Sequence, residues 1–394
     1  MNKLEVTLPY VGLMAFASMA LTRVCDPMLT TLGSEFQVSI GRASHVISWY
    51  AIAYGALQLV WGPLGDRLGK IRIVIRAGFA CAALCLLAGL ATDFSLLVAL
   101  RVAMGAAAAA IIPLSMAWIG DLVDYENRQE TLARLMAATV TGMMVGQWFG
   151  GLAADHFGWR WAFIALSAMF LVATVLLRRR TRQMGQTVAS DSHPKMSLLQ
   201  QVAKSWRLMA VPRVRWVLSV TALEGALAFG PLAFAPSQLI KSFGLSVTLA
   251  GAVMMLYGVG GLLYALSARR WLRALGERGL ASLGGVLIAA SLLLLGWAEH
   301  PAIGALACAL GGLGFYMLHN TLQTQATQMA PQARGAAVAL FASVLFIGQS
   351  VGVSVVAAFM DGASTWAVFS FAAMGISLLG LAVARKVSPK SATD

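Results

Sequence analysis

The chain has 394 residues, 59% of them hydrophobic and only 11% charged, with a net charge of +13 and a mean hydropathy of +0.76. Ordinary soluble domains carry about 25% charged residues, so a chain this long and this apolar cannot cover a water-facing surface. A soluble enzyme or soluble binding module is excluded, and the expected solvent is lipid.

Apolar segments of roughly the 20 residues needed to cross the hydrocarbon core run over 7–31, 44–64, 73–92, 95–119, 136–155, 162–177, 216–239, 247–267, 280–298, 302–326, 336–359 and 364–384. The first is too long for a cleaved leader, and its loss would break the internal repeat described below, so it reads as span 1. With the N-terminus in the cytoplasm, all but five of the 29 Lys and Arg fall on cytoplasmic connections. Arg42, Arg160 and Lys241 lie outside, and Arg23 and Arg101 lie within spans. This is the positive-inside pattern. The basic charge orients the chain, with both termini cytoplasmic, and does not imply nucleic acid.

Span 1 holds Arg23 and Asp26, three residues apart on one face, where they can pair. The connection between spans 2 and 3 reads Gly62-Pro63-Leu64-Gly65-Asp66-Arg67-Leu68-Gly69-Lys70-Ile71-Arg72, a short basic loop with one acid and glycines suited to a tight turn and close helix approach. Span 4 carries Arg101 in Leu97-x-x-x-Arg101-x-x-Met104-Gly105; an intramembrane arginine is costly and points to function, unless it snorkels to the outer end. Span 5 carries Gly142-x-x-x-Gly146-Gln147-x-x-Gly150-Gly151, a flat face for close approach to another helix. The longest polar stretch follows, from four arginines at 178–182 to Arg215. Span 7 then places Glu224 alone, and span 10 reads Phe315-Tyr316-Met317-Leu318-His319-Asn320-x-x-Gln323-x-Gln325, with Tyr316, Asn320 and Gln323 on one face. Helix–helix hydrogen bonding explains those polar groups as readily as a substrate wall does. The four cysteines and five histidines show no metal-ligand spacing, so neither metal nor cofactor is expected.

The two halves repeat at a separation of about 206 residues. Gly142-x-x-x-Gly146 recurs as Gly348-x-x-x-Gly352, with Gln147 roughly matched by Gln349. Asp155 matches Asp361, Trp161-Ala162 matches Trp366-Ala367, and Pro27 and Pro236 each precede a loop ending in Val38-Ser39 or Leu245-Ser246. Six spans separate the members of each pair, so both halves have the same orientation: a parallel repeat. The expected organisation is a six-helix bundle over 1–177, a cytoplasmic linker over 178–215, and a second six-helix bundle over 216–394.

The loop from Gly62 to Arg72 resembles the Gly-x-Leu-(Ala/Gly)-Asp-(Arg/Lys)-x-Gly-(Arg/Lys)-(Arg/Lys) signature of the major facilitator superfamily, departing at Ile71. Span 4 is similar to the family's second motif, with Met104 where Gln is usual. Span 5 resembles the Gly-x-x-x-Gly-Pro-x-x-Gly-Gly motif of the twelve-helix drug:proton antiporter branch, with Gln147 in place of proline. The resemblance implies the major facilitator fold: an all-α membrane protein of twelve helices in two bundles related by a pseudo-twofold axis. It implies a gate formed by Gly62, Asp66, Arg67, Gly69 and Lys70, in which Asp66 accepts from the amides opening span 11. It also implies a cavity lined by spans 1, 4, 7 and 10.

A carboxyl in such a low-dielectric cleft holds its proton more tightly than one in water. Asp26 and Glu224, with Arg101, are therefore the candidates for proton coupling. Arg23, Tyr316, His319, Asn320 and Gln323 are the candidates for the substrate cavity, with Gly142, Gly146, Gln147, Gly150 and Gly151 as packing residues. The expected protein is a monomeric, multi-pass secondary transporter of the bacterial inner membrane, exporting a small amphipathic or organic compound in exchange for protons. Symport or facilitated uptake of a small, possibly anionic, metabolite is the second reading. A non-transporting sensor and a membrane enzyme are remote ones.

Overall fold

In hydrocarbon every backbone amide and carbonyl must find its partner within the chain, and a helix achieves this segment by segment. The structure, a computed structural model describing residues 3–183, 206–360 and 365–387, contains helices and turns and, among the described residues, no strand. α1 runs Lys3–Arg23 and continues through a 3-10 turn, Asp26–Met28, into Leu29–Glu35. It is followed by α2 (His45–Leu68), α3 (Lys70–Gly89), α4 in two pieces (Phe94–Ala108 and Ile111–Leu122), α5 (Tyr125–His156) and α6 (Trp159–Gln183). The second half begins with α7, also in two pieces (Pro212–Leu232 and Ala235–Phe243). α8 and α9 share the stretch Val247–Trp297, and α10 (Pro301–Gln328), α11 (Arg334–Met360) and α12 (Thr365–Lys386) complete the fold.

Nine described segments are long and apolar enough to cross a membrane. One of them, 51 residues long, contains both α8 and α9, which part at Gly276, where φ is +64°. α2 and α5 are less apolar but long enough, at 24 and 32 residues, which brings the spans to twelve. We call the side carrying the start of α1 and the arginine-rich end of α6 the basic side, and the opposite one the far side.

Several boundaries differ from those read off hydropathy. α6 stays helical to Gln183 and α7 already begins at Pro212, so both ends of the expected linker are helical. Arginine is a good helix former and is favourable in a last turn, where the helix dipole is negative. Residues 184–205 of that linker, and Asp361 of the repeat, lie outside the described residues. The segment Ser267–Trp271 is helical as well, because the break waits for Gly276.

The repeat is reproduced in the packing. A Cβ built on Gly142 or Gly146 would strike the backbone of Phe16 or Ala20 in α1, and one on Gly348 or Gly352 would strike Ala222 or Ala226 in α7. Those partners are themselves 206 residues apart. Small residues thus let α5 lie against α1, and α11 against α7, backbone to backbone. Ser39 and Ser246 also match, each accepting a hydrogen bond from the amide three residues on and so capping the helix that follows.

Gly62 differs from the other loop glycines. Nothing lies within 4 Å of a Cβ built on it, whereas Gly69 has a φ of +90° and Gly65 abuts Leu114. Close approach is therefore served by Gly65, and the tight turn by Gly69. A Cβ at Gly150 would stand 2.1 Å from the Val24 carbonyl oxygen. Gly150→Ala is expected to destabilise the fold by about 1–3 kcal/mol through overpacking, while Gly62→Ala leaves it unchanged or slightly firmer. Thermal unfolding of the two purified variants separates these outcomes.

Candidate functional site

The break in α1 builds half of the site. Pro27 lacks an amide proton and sits at the start of the 3-10 turn, so the regular helix ends at Arg23 and the chain tightens around Asp26. Asp26 is fully buried and Arg23 is 3% exposed. Arg23 Nη1 and Gln147 Nε2 both donate to Asp26 Oδ2, at 3.4 and 3.3 Å, while Asp26 Oδ1 has no partner. Gln147 stands where the resembling motif has a proline. The substitution adds a hydrogen-bond donor to the acid, a role its position in a packing motif did not suggest.

The other half comes from α7 and α10. Glu224 is fully buried, and its Oε2 lies 3.1 Å from His319 Nδ1, with Oε1 unpartnered. The His319 ring stacks on Phe315, 4.9 Å between centroids. Phe315 in turn meets Phe229 edge-on at 4.8 Å. Arg23 closes the chain from the opposite half, its guanidinium 4.5 Å from the centre of the Phe229 ring. The two acids thus belong to one run of contacts: Asp26, Arg23, Phe229, Phe315, His319, Glu224. The buried Tyr257 hydroxyl has no hydrogen-bond partner and lies within electrostatic reach of Arg23 and Glu224.

The remaining candidates are placed differently. Arg101 is fully buried and donates to the carbonyls of Val46 (2.9 Å) and Leu21 (3.0 Å), with its guanidinium 4.0 Å over the Tyr50 ring. It neither snorkels nor bonds to an acid; it ties α4 to α1 and α2. On α10, Asn320 lies beside Tyr264, and the Tyr316 ring packs over Gly261, both of α8. Gln323 is exposed. Tyr316 and Asn320 therefore turn toward α8, while His319 reaches Glu224. A cavity of about 400 Å³ lies lower in the first half, between α1, α4 and α5, and includes none of the acids.

Hydrogen bonds join the halves at mid-depth and on the far side. Ser343 Oγ donates to the Gly55 carbonyl (2.6 Å) and Ser350 Oγ to that of Ser48 (2.8 Å). At the far end of α5, Asp155 caps α8: Oδ1 accepts from the Val247 amide (3.2 Å), and Oδ2 from the amide and hydroxyl of Thr248 (both 2.6 Å). Beyond the apolar part of α5 this carboxyl is exposed. Partial burial works to raise its pKa, but the bonds from Thr248, Val247 and Ser246 outweigh that and hold it below the ordinary carboxylate range. On the basic side, Asp66 is 62% exposed and pairs with Lys70 at 3.7 Å, and Lys70 also binds Asp121. The expected bond from Asp66 to the opening of α11 is not made in this arrangement.

Residues 11–353 match the family model of the Major Facilitator Superfamily. The chain belongs to that family of membrane transporters, which is not a family of enzymes. It is 26% identical over 342 residues to the MFS-type transporter YceJ of Bacillus subtilis, covering 85% of this chain and 84% of that one. The multidrug efflux pump LfrA of Mycolicibacterium smegmatis is 26% identical over 208 residues, 52% of this chain and 40% of LfrA. The lincomycin resistance protein of Streptomyces lincolnensis is 28% identical over 181 residues, 44% of this chain and 37% of that protein. Among solved structures, the nucleoside transporter NupG superposes with a TM-score of 0.73 at 14% identity, covering 98% of this chain and 100% of NupG. A bacterial homolog of the human lysosomal transporter Spinster, inward-facing and unoccupied, gives 0.71 at 16% identity, covering 98% and 95%. At these identities the likeness concerns the fold.

The Asp155 cap joins the two halves on the far side, and Asp155→Ala removes a cap worth about 1 kcal/mol. Opening of the far side should rise about fivefold, read as the distance distribution between spin labels on the ends of α5 and α8. A depressed carboxyl contributes while ionised, so the wild-type cap holds at neutral pH. It weakens as pH falls through the folded value, below the usual carboxylate pKa of about 4. Identical distances in variant and wild type would refute the latch.

Proposed function

We propose that this protein is a secondary active transporter working by alternating access, coupling proton entry to efflux of a small amphipathic or organic compound. One observation carries the reading: each half contributes one fully buried carboxyl with one oxygen bonded and the other unpartnered, and the two are linked through Arg23, Phe229, Phe315 and His319. An ionised carboxylate left half-satisfied in a low dielectric is costly, and these two carboxyls are the groups to which we assign the coupled proton. Protonating Asp26 weakens its pair with Arg23, and protonating Glu224 alters its bond to His319. The first change acts on the contact of Arg23 with Phe229 between the halves, the second on the packing of α7 and α10 within the second half.

The proposed cycle has residues 1–177 and 216–394 rocking about this centre, joined by the connection at 178–215. Far-side closure by Asp155 alternates with basic-side closure, in which Asp66 reaches the opening of α11. Aromatic faces from Phe229, Phe315 and Tyr257 suit an apolar portion of the cargo. The efflux direction is supported by relatives named as an efflux pump and a resistance protein. The positive-inside charge supports a bacterial inner membrane with the basic side and both termini in the cytoplasm, and one chain suffices for the cycle. A second reading, uptake of a small anionic metabolite, is favoured by the buried, unpartnered Nε of Arg23.

Proteoliposomes carrying an imposed pH gradient and a panel of organic cations and neutral drugs test the proposal. Asp26→Asn and Glu224→Gln should each cut gradient-driven accumulation at least tenfold while leaving downhill exchange measurable. Unaltered accumulation in the double variant would sink the coupling assignment, and flux indifferent to pH would establish a uniporter.

A further inference from the structure

The basic-side ends of α3 and α6 form a pocket that the transport reading leaves unused. Its volume is about 470 Å³, and it is lined by Arg72, Arg76, Arg178 and Arg182, with Phe79 at its inner edge. The arginines come as two i,i+4 pairs, one in the first turns of α3 and one in the last turns of α6. No carboxylate among the described residues pairs with any of them; the neighbouring acids Asp66 and Asp121 are held by Lys70, and Glu130 by Arg134. The N-terminal end of α3 adds its own partial positive charge.

Four guanidiniums around one concavity repel each other unless an anion lies between them, and guanidinium binds phosphate oxygens two at a time. The pocket also has a definite depth. Arg178 lies over the Phe79 ring, 5.8 Å from its centre, one turn below the α3 arginines. Further toward the far side the same two helices expose Leu171 (48%), Val172 (53%), Leu86 (47%) and Leu87 (51%). In the contacts between elements, α3 and α6 pack on helices of their own half, so this outer surface is left to lipid. The site therefore presents cations at the level of a headgroup and an apolar wall at the level of acyl chains.

We propose that this pocket binds an anionic phospholipid of the leaflet on the basic side, with a two-phosphate headgroup such as that of cardiolipin engaging both arginine pairs. A free phosphate would satisfy the guanidiniums but leave the apolar wall unused. Basic pockets between transmembrane helices are a recognised form of such sites.

Native mass spectrometry of the full-length, detergent-purified protein tests this with four probes: cardiolipin, phosphatidylglycerol, phosphatidylcholine and glycerol phosphate. Cardiolipin should remain bound most tightly, phosphatidylglycerol less so, and the other two should be lost. The R72Q/R76Q/R178Q/R182Q variant should weaken cardiolipin binding at least tenfold, and a control variant, R269Q/R270Q/R273Q, should leave it within twofold. A photoactivatable cardiolipin on the wild-type protein needs no variant to fold, and its label should fall within residues 71–87 and 168–182. Wild-type affinity in the quadruple variant, phosphatidylcholine binding as tightly as cardiolipin, or labelling confined to other helices would each overturn the assignment. Glycerol phosphate binding as tightly as intact cardiolipin would overturn it in favour of a soluble phosphate ligand.

Discussion

A charged side chain at the centre of a bilayer costs about 2.5–3.5 kcal/mol even on the mildest scale, and that cost arranges the rest of this molecule. It drives nearly all of the basic residues to one side, and it explains why the few charges left inside are so closely held. Arg101 meets it with backbone carbonyls from two neighbouring helices and the face of the Tyr50 ring, which ties its own half together although its Nη2 stays unpartnered. Asp26 and Glu224 meet it only in part, through side chains on other helices, and each keeps an oxygen without a partner. The charge of an arginine is fixed whereas that of a carboxyl is not, and Asp26 stands beside a contact that crosses between the halves, Arg23 on Phe229.

Glycine determines how the halves can meet at all. Within each half the seams of α5 on α1 and of α11 on α7 are backbone against backbone, related by the repeat. Between halves the same principle recurs: Gly151 lies on Val247, Gly251 on Gln147, and Gly55 on Ser343. Such seams contain few large side chains to withdraw, so a modest rocking motion meets little steric resistance. The far side is then held by directed bonds, of which the Asp155 cap is the most complete.

The twelve spans, the gathering of basic residues on one side and the parallel repeat were legible in the sequence because each is a local or periodic property. Hydropathy is summed over about 20 residues, charge is counted by loop, and glycine spacing recurs at a fixed interval. Helix ends were less legible: Arg178 to Gln183 are polar yet helical, since arginine favours a helix whether or not lipid surrounds it. The buried charges were identifiable one by one, because an ionisable residue in an apolar run is conspicuous wherever it points.

Their partners could not be read in the same way. Glu224 and His319 are 95 residues apart, and Asp26 and Gln147 are 121 apart, and periodicity along a chain says nothing about which face of one helix meets which face of another. The α10 residues show the limit well. Helical spacing groups Tyr316, Asn320 and Gln323 on one face, but only packing revealed that Tyr316 and Asn320 turn to α8, Gln323 outward and His319 to the acid. Gln147 is the sharpest case. In sequence it is a missing proline, and in the folded protein it is the donor that holds Asp26. Local patterns along the chain specify a two-fold helical membrane protein with a few costly charges; how those charges are paired emerges only on packing, because pairing depends on helix rotation, and helix rotation is set by the glycine seams between elements distant in the chain.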